Sequence, residues 1–248
     1  MKTKFYLIIV SVLTVGMLVG CGQSGDALVV ATDAAFPPFE YVDETSKEIV
    51  GFDIDLMNAI AEKADLDIQF QNVAWDPLLA GMAECQYDMA ISAITILPER
   101  AEQFSFSDPY INAGQIIAVA IDNNSISSPD DLVGGTIGAQ IGTTGAMEAE
   151  AIADSTVKVY DTYELAFLDM MNGQIDAVIA DYPTAVAFVN QNADQLKVVG
   201  EVFTDENYGI AFCKGNDTLI SEVNTALAEL QAEGYIEELV NKWYGSAD

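Results

Sequence analysis

The sequence predicts an α/β protein of two lobes, each a mostly parallel sheet flanked by helices. Three observations carry that expectation. Strand and helix signals alternate along the 248-residue chain, as expected for parallel strands joined by helical crossovers. The same layout runs twice, through 28–91 and again through 136–180. A hydrophobic content of 51% suits two modest cores better than one large one.

In the first block, the apolar run 28–31 stops at Thr32-Asp33 and reads as a strand. Phe52, Leu56, Ala59, Ile60 and Lys63 recur at helical spacing, which predicts an amphipathic helix over 53–64. Leu66, Ile68 and Phe70 alternate with Asp67, Gln69 and Gln71, a strand with one wet face. A short helix over 77–83 and a strand over 88–91 complete the block. The second block reads as strand 136–140, helix 143–153, strand 157–160, helix 163–171 and buried strand 175–180. Gln86-Tyr87-Asp88 and Gln174-Ile175-Asp176 each follow a helix and open an apolar strand. That is likeness of design rather than a sequence repeat. Helices near 219–233 and 236–243 close the chain.

The N-terminus has Lys2 and Lys4, then an apolar run over 5–19, then Leu18-Val19-Gly20-Cys21. A charged start, a short apolar core and small residues before a cysteine read as an export signal over 1–20, not as a membrane span. Leu-Val-Gly-Cys resembles a lipobox, which implies lipidation at Cys21 and a flexible tether over 21–26. The chain so processed carries 7 Lys+Arg against 39 Asp+Glu, a net charge of −32. Such a surface repels nucleic acid and anionic lipid headgroups, so the expected membrane contact is the lipid anchor alone. Concentrated salt would screen the self-repulsion, and composition leaves a high-salt habitat open. Histidine is absent, which removes His-based triads, His general bases and most zinc sites, and no cofactor is expected. Cys85 and Cys213 can pair outside the cytosol, but two cysteines make neither a framework nor a metal-ligand spacing.

The tract 91–110, ISAITILPERAEQFSFSDPY, concentrates candidate chemistry. A strand end runs into Ser92 and Thr95, and Pro98-Glu99-Arg100 opens a short helix. Free backbone groups, two hydroxyls and the Arg100 guanidinium therefore meet in one place. That set fits a zwitterion, because Arg forks onto a carboxylate while hydroxyls and carbonyls take an ammonium. In the second block, Gln140-Ile141-Gly142-Thr143-Thr144-Gly145 is a strand, a tight turn and a helix start, where amide N–H groups favour anions. No Gly-Lys-Ser/Thr follows, so it is not a phosphate loop. Asp181 ends an apolar strand before Tyr182-Pro183 and reads either as a ligand acid or as a helix cap.

These tracts, with 31–41 and Gly51-Phe52-Asp53-Ile54-Asp55-Leu56, closely resemble family 3 of the bacterial extracellular solute-binding proteins, which bring polar or basic amino acids to ABC importers. The likeness covers 28–245. It implies the two-lobed periplasmic-binding-protein, or Venus flytrap, fold. Lobe 1 would be 27–109 with 209–248, lobe 2 would be 115–203, and the hinge 110–114 with 204–208. It also implies a site. Asp33, Phe36 and Gln140 would face the ligand side chain, and Trp75 would stack on it. Ala93, Thr95 and Asp181 would hold the ammonium; Arg100, Thr144 and Gly145 the carboxylate. Glu40 and Ser92 are further candidates. Asp53 and Asp55 read as helix-start acids outside the site.

The expected function is capture of a free amino acid, most naturally arginine, lysine or histidine, and its delivery to an ABC permease by a monomer. Glutamine or another polar amino acid is the alternative within that class. From other classes come a cyclohexadienyl-dehydratase-like enzyme and a sensory ligand-binding module. The expectation is a non-enzymatic protein on the outer face of the cytoplasmic membrane or in the periplasm.

Overall fold

A computed structural model describes residues 27–244. The predicted signal peptide 1–20, Cys21 and the tether 21–26 lie outside the described residues. The chain opens with β1 (Leu28–Thr32), the short strands β2 (Ala35–Phe36), β3 (Glu40–Val42) and β4 (Ile49–Val50), then helix α1 (Phe52–Ala64). It continues through β5 (Ile68–Asn72), α2 (Trp75–Ala83), β6 (Met89–Ala90), α3 (Pro98–Ala101) and β7 (Ser105–Phe106). β8 (Ile111–Ala113) leads into β9 (Gln115–Ala120), β10 (Thr136–Gln140), α4 (Thr144–Ala151), β11 (Thr156–Tyr160) and α5 (Tyr163–Met171). β12 (Ala177–Asp181), α6 (Tyr182–Gln191) and β13 (Leu196–Val199) follow. β14 (Glu206–Tyr208), β15 (Ala211–Phe212), α7 (Asp217–Ala232) and α8 (Tyr235–Tyr244) end it.

Two five-stranded sheets result, in the orders β5-β1-β6-β15-β7 and β11-β10-β12-β9-β13. In each, the first three strands of that order pair in parallel: Leu28 faces Ile68, and Thr136 faces Thr156. The remaining pairs are antiparallel, with Ala211 opposite Ala90 and Val178 opposite Ala118. Between the sheets β8 and β14 form a two-stranded antiparallel ladder, Ile111 opposite Tyr208. The chain crosses from one sheet to the other along these two strands.

Helix α1 shows why the first sheet is stable. Phe52, Leu56 and Ile60 recur at i+4 and are fully buried, against Leu219, Val223 and Leu227 of α7. Each such side chain contributes roughly 1.5–3 kcal/mol by leaving water. Cys85 and Cys213 are joined with their Cα atoms 4.9 Å apart, tying the turn after α2 to the end of β15.

Element ends differ from expectation in ways that matter locally. Helix α2 begins at Trp75, two residues before Pro77, because a proline in the first turn gives up an N–H that has no helical acceptor. The chain leaves α4 at Ile152 by turning extended, so the helix ends short of 153. Asp55 accepts from Lys242 Nζ at 2.6 Å and Trp243 Nε1 at 2.7 Å, fastening α8 to α1. Among the described residues, no helix is long and apolar enough to cross a membrane.

Candidate functional site

The site forms where the strand ends of both sheets meet the β8–β14 ladder. After β6 the chain turns through Ala93, whose φ of +47° is unusual for a residue with a side chain. It is held there by its N–H, which donates to Asp53 Oδ2 at 2.7 Å. Thr95 bridges to Tyr208 across the ladder. Pro98 then starts α3, and that single turn aims Arg100 inward. Arg100 is only 5% exposed. It donates to Thr95 O at 3.0 Å and, across to the second lobe, to Gly142 O at 3.1 Å. Its guanidinium lies 5.3 Å from the centroid of the Trp75 ring. Burial pulls its pKa below the ordinary value, and Asp181 and Glu206 oppose that shift. An arginine stays charged through such a shift.

From the second lobe, β10 delivers Gln140, whose Nε2 donates to Asp33 Oδ2 at 3.1 Å and to Asp161 O at 3.1 Å. Gly142 turns with φ +71° beside Trp75 and Asp76. Thr143 caps α4 by accepting from Ala146 N–H. The first amides of α4 have no helical acceptors. Asp181 stands at the N-cap of α6 but makes no side-chain cap bond. Its Oδ1 instead accepts from Tyr208 OH at 2.6 Å and Gln115 Nε2 at 3.0 Å.

These groups close around a cavity of about 10 Å³, the room of roughly one water. Phe36, Trp75, Ser92, Ala93, Thr95 and Arg100 line it from one side. Gln140, Thr143, Thr144 and Asp181 line it from the other. Asp33 stands just behind, bonded to Gln140. Trp75 Nε1 is buried without a partner. A far wider cleft of about 1680 Å³, bordered by Tyr41, Phe167, Phe188 and Trp243, has no buried acid or base in its lining. The chemistry is in the small cavity.

Several candidates stand elsewhere. Glu40 is fully buried behind the wall, accepting from Ser92 Oγ at 2.8 Å, and does not line the cavity. Gly145 packs inward. A side chain there would meet Tyr163 and the Ile179 carbonyl, which requires glycine at that position and leaves its backbone in the first turn of α4. Asp53 is in the first turn of α1 and outside the cavity lining, as expected, but it is fully buried and accepts from Ala93 N–H and Tyr110 OH.

Sequence reasoning missed Glu206. One oxygen, Oε2, accepts from Thr95 Oγ1 at 3.0 Å and Thr144 Oγ1 at 2.7 Å, one threonine from each lobe. Thr204 Oγ1 donates to its other oxygen at 2.7 Å. Both threonine hydrogens are thereby taken, leaving Thr95 lone pairs for a donor in the cavity. Gln115, which also donates to Thr144 Oγ1, was missed too. The only available signal was alternation in 206–208, where Glu206 and Tyr208 are buried and Asn207 is exposed.

Two buried carboxylates, Asp181 and Glu206, thus act on one guanidinium, and a third, Asp33, is buried behind the cavity. Burial pushes Asp33 up to about 6, with the Gln140 and Trp75 bonds opposing. Burial and then the Glu206 charge push Asp181 up to about 6, with Tyr208 and Gln115 opposing. The site is short of positive charge. Among the described residues, no group of three or more acids or cysteines is placed to hold a metal ion.

Two mixed α/β sheets joined by two crossings, with ionisable groups gathered between them, define a two-lobed binding protein. Residues 28–246 match the model of the bacterial extracellular solute-binding proteins, family 3, and the chain belongs to that family. It is 35% identical over 220 residues to ABC transporter arginine-binding protein 1 of Escherichia coli K12, covering 85% of this chain and 88% of that one. It is 30% identical over 221 residues to the L-cystine-binding protein TcyJ of the same strain, covering 88% and 83%. Among solved structures, an ancestral arginine-binding protein bound to arginine superposes with a TM-score of 0.84 at 40% identity, covering 88% of this chain and 98% of that one.

Proposed function

We propose that this protein captures a basic amino acid, arginine or lysine before histidine, and delivers it to an ABC permease by closing its lobes. The observation that carries the reading is the charge imbalance in the site. Arg100 takes the ligand α-carboxylate, with the α4 amides assisting. Asp181 and Thr95 Oγ1 take the ammonium. Asp33, at the end of a slot walled by Phe36 and Trp75, then remains for a side-chain cation. A ligand with an acidic side chain would add a fourth carboxylate and find no counter-charge. The names of relatives with arginine as ligand favour the same choice.

Closure follows from the shared contacts. Arg100 with Gly142, Asp33 with Gln140, and Glu206 with Thr144 are bonds between the two halves. A ligand that touches both halves only when they meet shifts the population toward the closed form. Glutamine is the second reading, because Gln140 and Asp33 together can bond a side-chain amide. The relatives are named as binding proteins, which favours binding over a dehydratase activity; incubation with prephenate or arogenate, watched for aromatic product, tests that point.

Competition titrations against labelled arginine decide the ligand. Arginine and lysine are expected to displace the label at lower concentration than glutamine; the reverse order would refute the basic-ligand reading. Scattering from free and saturated protein reads the closure as a smaller radius of gyration. Lipidation at Cys21 would hold the exported protein on the membrane, and Cys21→Ser is expected to release it; retention would refute the anchor.

A further inference from the structure

Glu40 and Asp53 come from different elements, β3 and α1, and are both fully buried. They bond to adjacent residues of one turn, Glu40 to Ser92 and Asp53 to Ala93, and the Asp53 charge acts on Glu40. Each has one oxygen occupied by the binding-site turn. Glu40 Oε1 accepts from Ser92 Oγ at 2.8 Å, and Ser92 Oγ in turn accepts from Asp33 N–H at 3.0 Å. Asp53 Oδ2 accepts from Ala93 N–H at 2.7 Å and Tyr110 OH at 2.9 Å. The other two oxygens, Glu40 Oε2 and Asp53 Oδ1, are buried and find no donor at all. Two ionised carboxylates in that position would leave both orphaned and repelling. Two protonated ones would set a hydrogen against an N–H or hydroxyl donor. A single hydrogen satisfies every atom.

We propose that Glu40 and Asp53 share one proton between Oε2 and Oδ1, and that this singly protonated pair is a positioning device for the Ser92–Ala93 turn. Ala93 adopts a left-handed conformation that its own side chain disfavours, so an outside acceptor must hold it. The pair supplies that acceptor and, through Ser92, fixes the start of the Asp33 segment as well. The titratable groups that face it are Asp33, Tyr110 and Tyr244, none of them cationic. Burial pushes Asp53 up to about 7, and burial with the Asp53 charge lifts Glu40 well above the carboxylate range. The folded pair therefore keeps a proton that the unfolded chain releases above its ordinary carboxylate range. Its stabilisation is full below that range and is lost as pH rises through the folded value.

The direct test uses wild-type protein with carbon-13 in its glutamate and aspartate carboxyl groups, followed by nuclear magnetic resonance and infrared spectroscopy at pH 7. One fully protonated carboxyl, shared by the pair, is expected, and it should vanish in Glu40→Gln. A spectrum in which Glu40 and Asp53 are both ionised would overturn the proposal. Glu40→Gln and Asp53→Asn each bring an amide NH2, one hydrogen of which takes the place of the shared proton, and keep every other bond. Each is expected to bind arginine within about threefold of wild type, whereas either alanine variant loses about tenfold or more. The double amide places a surplus hydrogen against Ser92 or Ala93 and should bind as badly as the alanines. Single amides as damaging as alanine, or a harmless double amide, would overturn the proposal. This inference rests on the ligand reading only for its binding arm; the proton measurement needs no ligand and so fails or stands separately.

Discussion

Arg100→Ala removes the only arginine in the sequence and the guanidinium around which the site is built. Two hydrogen bonds go with it, to Thr95 O at 3.0 Å and Gly142 O at 3.1 Å. The second is a contact between lobes, so the closed form loses more than the open one. A ligand carboxylate would then sit among Asp181 and Glu206 with no cation to answer it. Breaking a buried charge pair by deleting one partner costs about 3–5 kcal/mol. At about 1.4 kcal/mol per tenfold, arginine affinity is expected to fall by between roughly a hundredfold and a few thousandfold. Isothermal titration at pH 8 measures it, with circular dichroism to show that the fold persists. Affinity within tenfold of wild type would refute the assignment of Arg100 to the α-carboxylate. Arg100→Lys should recover only part of the loss, because an ammonium cannot fork onto two acceptors in the same way.

Two further outcomes follow from the geometry. Asp33 and Asp181 are both pushed up to about 6 in the free protein, and a bound cation favours their charged forms. Arginine binding should therefore release protons and weaken as pH falls below about 6. The loss at pH 5 relative to pH 8 is up to about tenfold per carboxyl group; a flat profile between these values would contradict cation pairing at both acids. Gly114, at the end of β8, has no room for a side chain, because a Cβ there would overlap the Thr204 carbonyl and Val202. Gly114→Ala should destabilise the fold by about 1–3 kcal/mol in denaturant titrations, and an unchanged midpoint would show that the crossing strands are not held this closely.

Much of the architecture was legible because it rests on local periodicity. Helix α1 and strand β1 follow from the spacing of Phe52, Leu56 and Ile60 and from the apolar run ahead of Thr32-Asp33. Ala93, Thr95 and Arg100 were legible because they sit within one short tract on a strand end and a helix start. Glu206 was not. It is one acid among 39, and its partners Thr95 and Thr144 are 111 and 62 residues away in sequence. The contact of Asp53 with Ala93 was missed for a related reason. The place of Asp53 in the first turn of α1 fits a helix-start acid, and only the fold brings it under Ala93.

The most direct test of a basic-ligand site is a paired titration of wild type and Asp33→Asn with arginine and with glutamine. Asp33 stands just behind the cavity wall that includes Phe36 and Trp75, bonded to Gln140, and it is the acid assigned to the side-chain cation. Wild type should prefer arginine. In Asp33→Asn that preference should shrink by about one to two powers of ten, the worth of one charge-assisted hydrogen bond, while glutamine changes little. Equal losses for both ligands, or a wild type that prefers glutamine, would contradict the account.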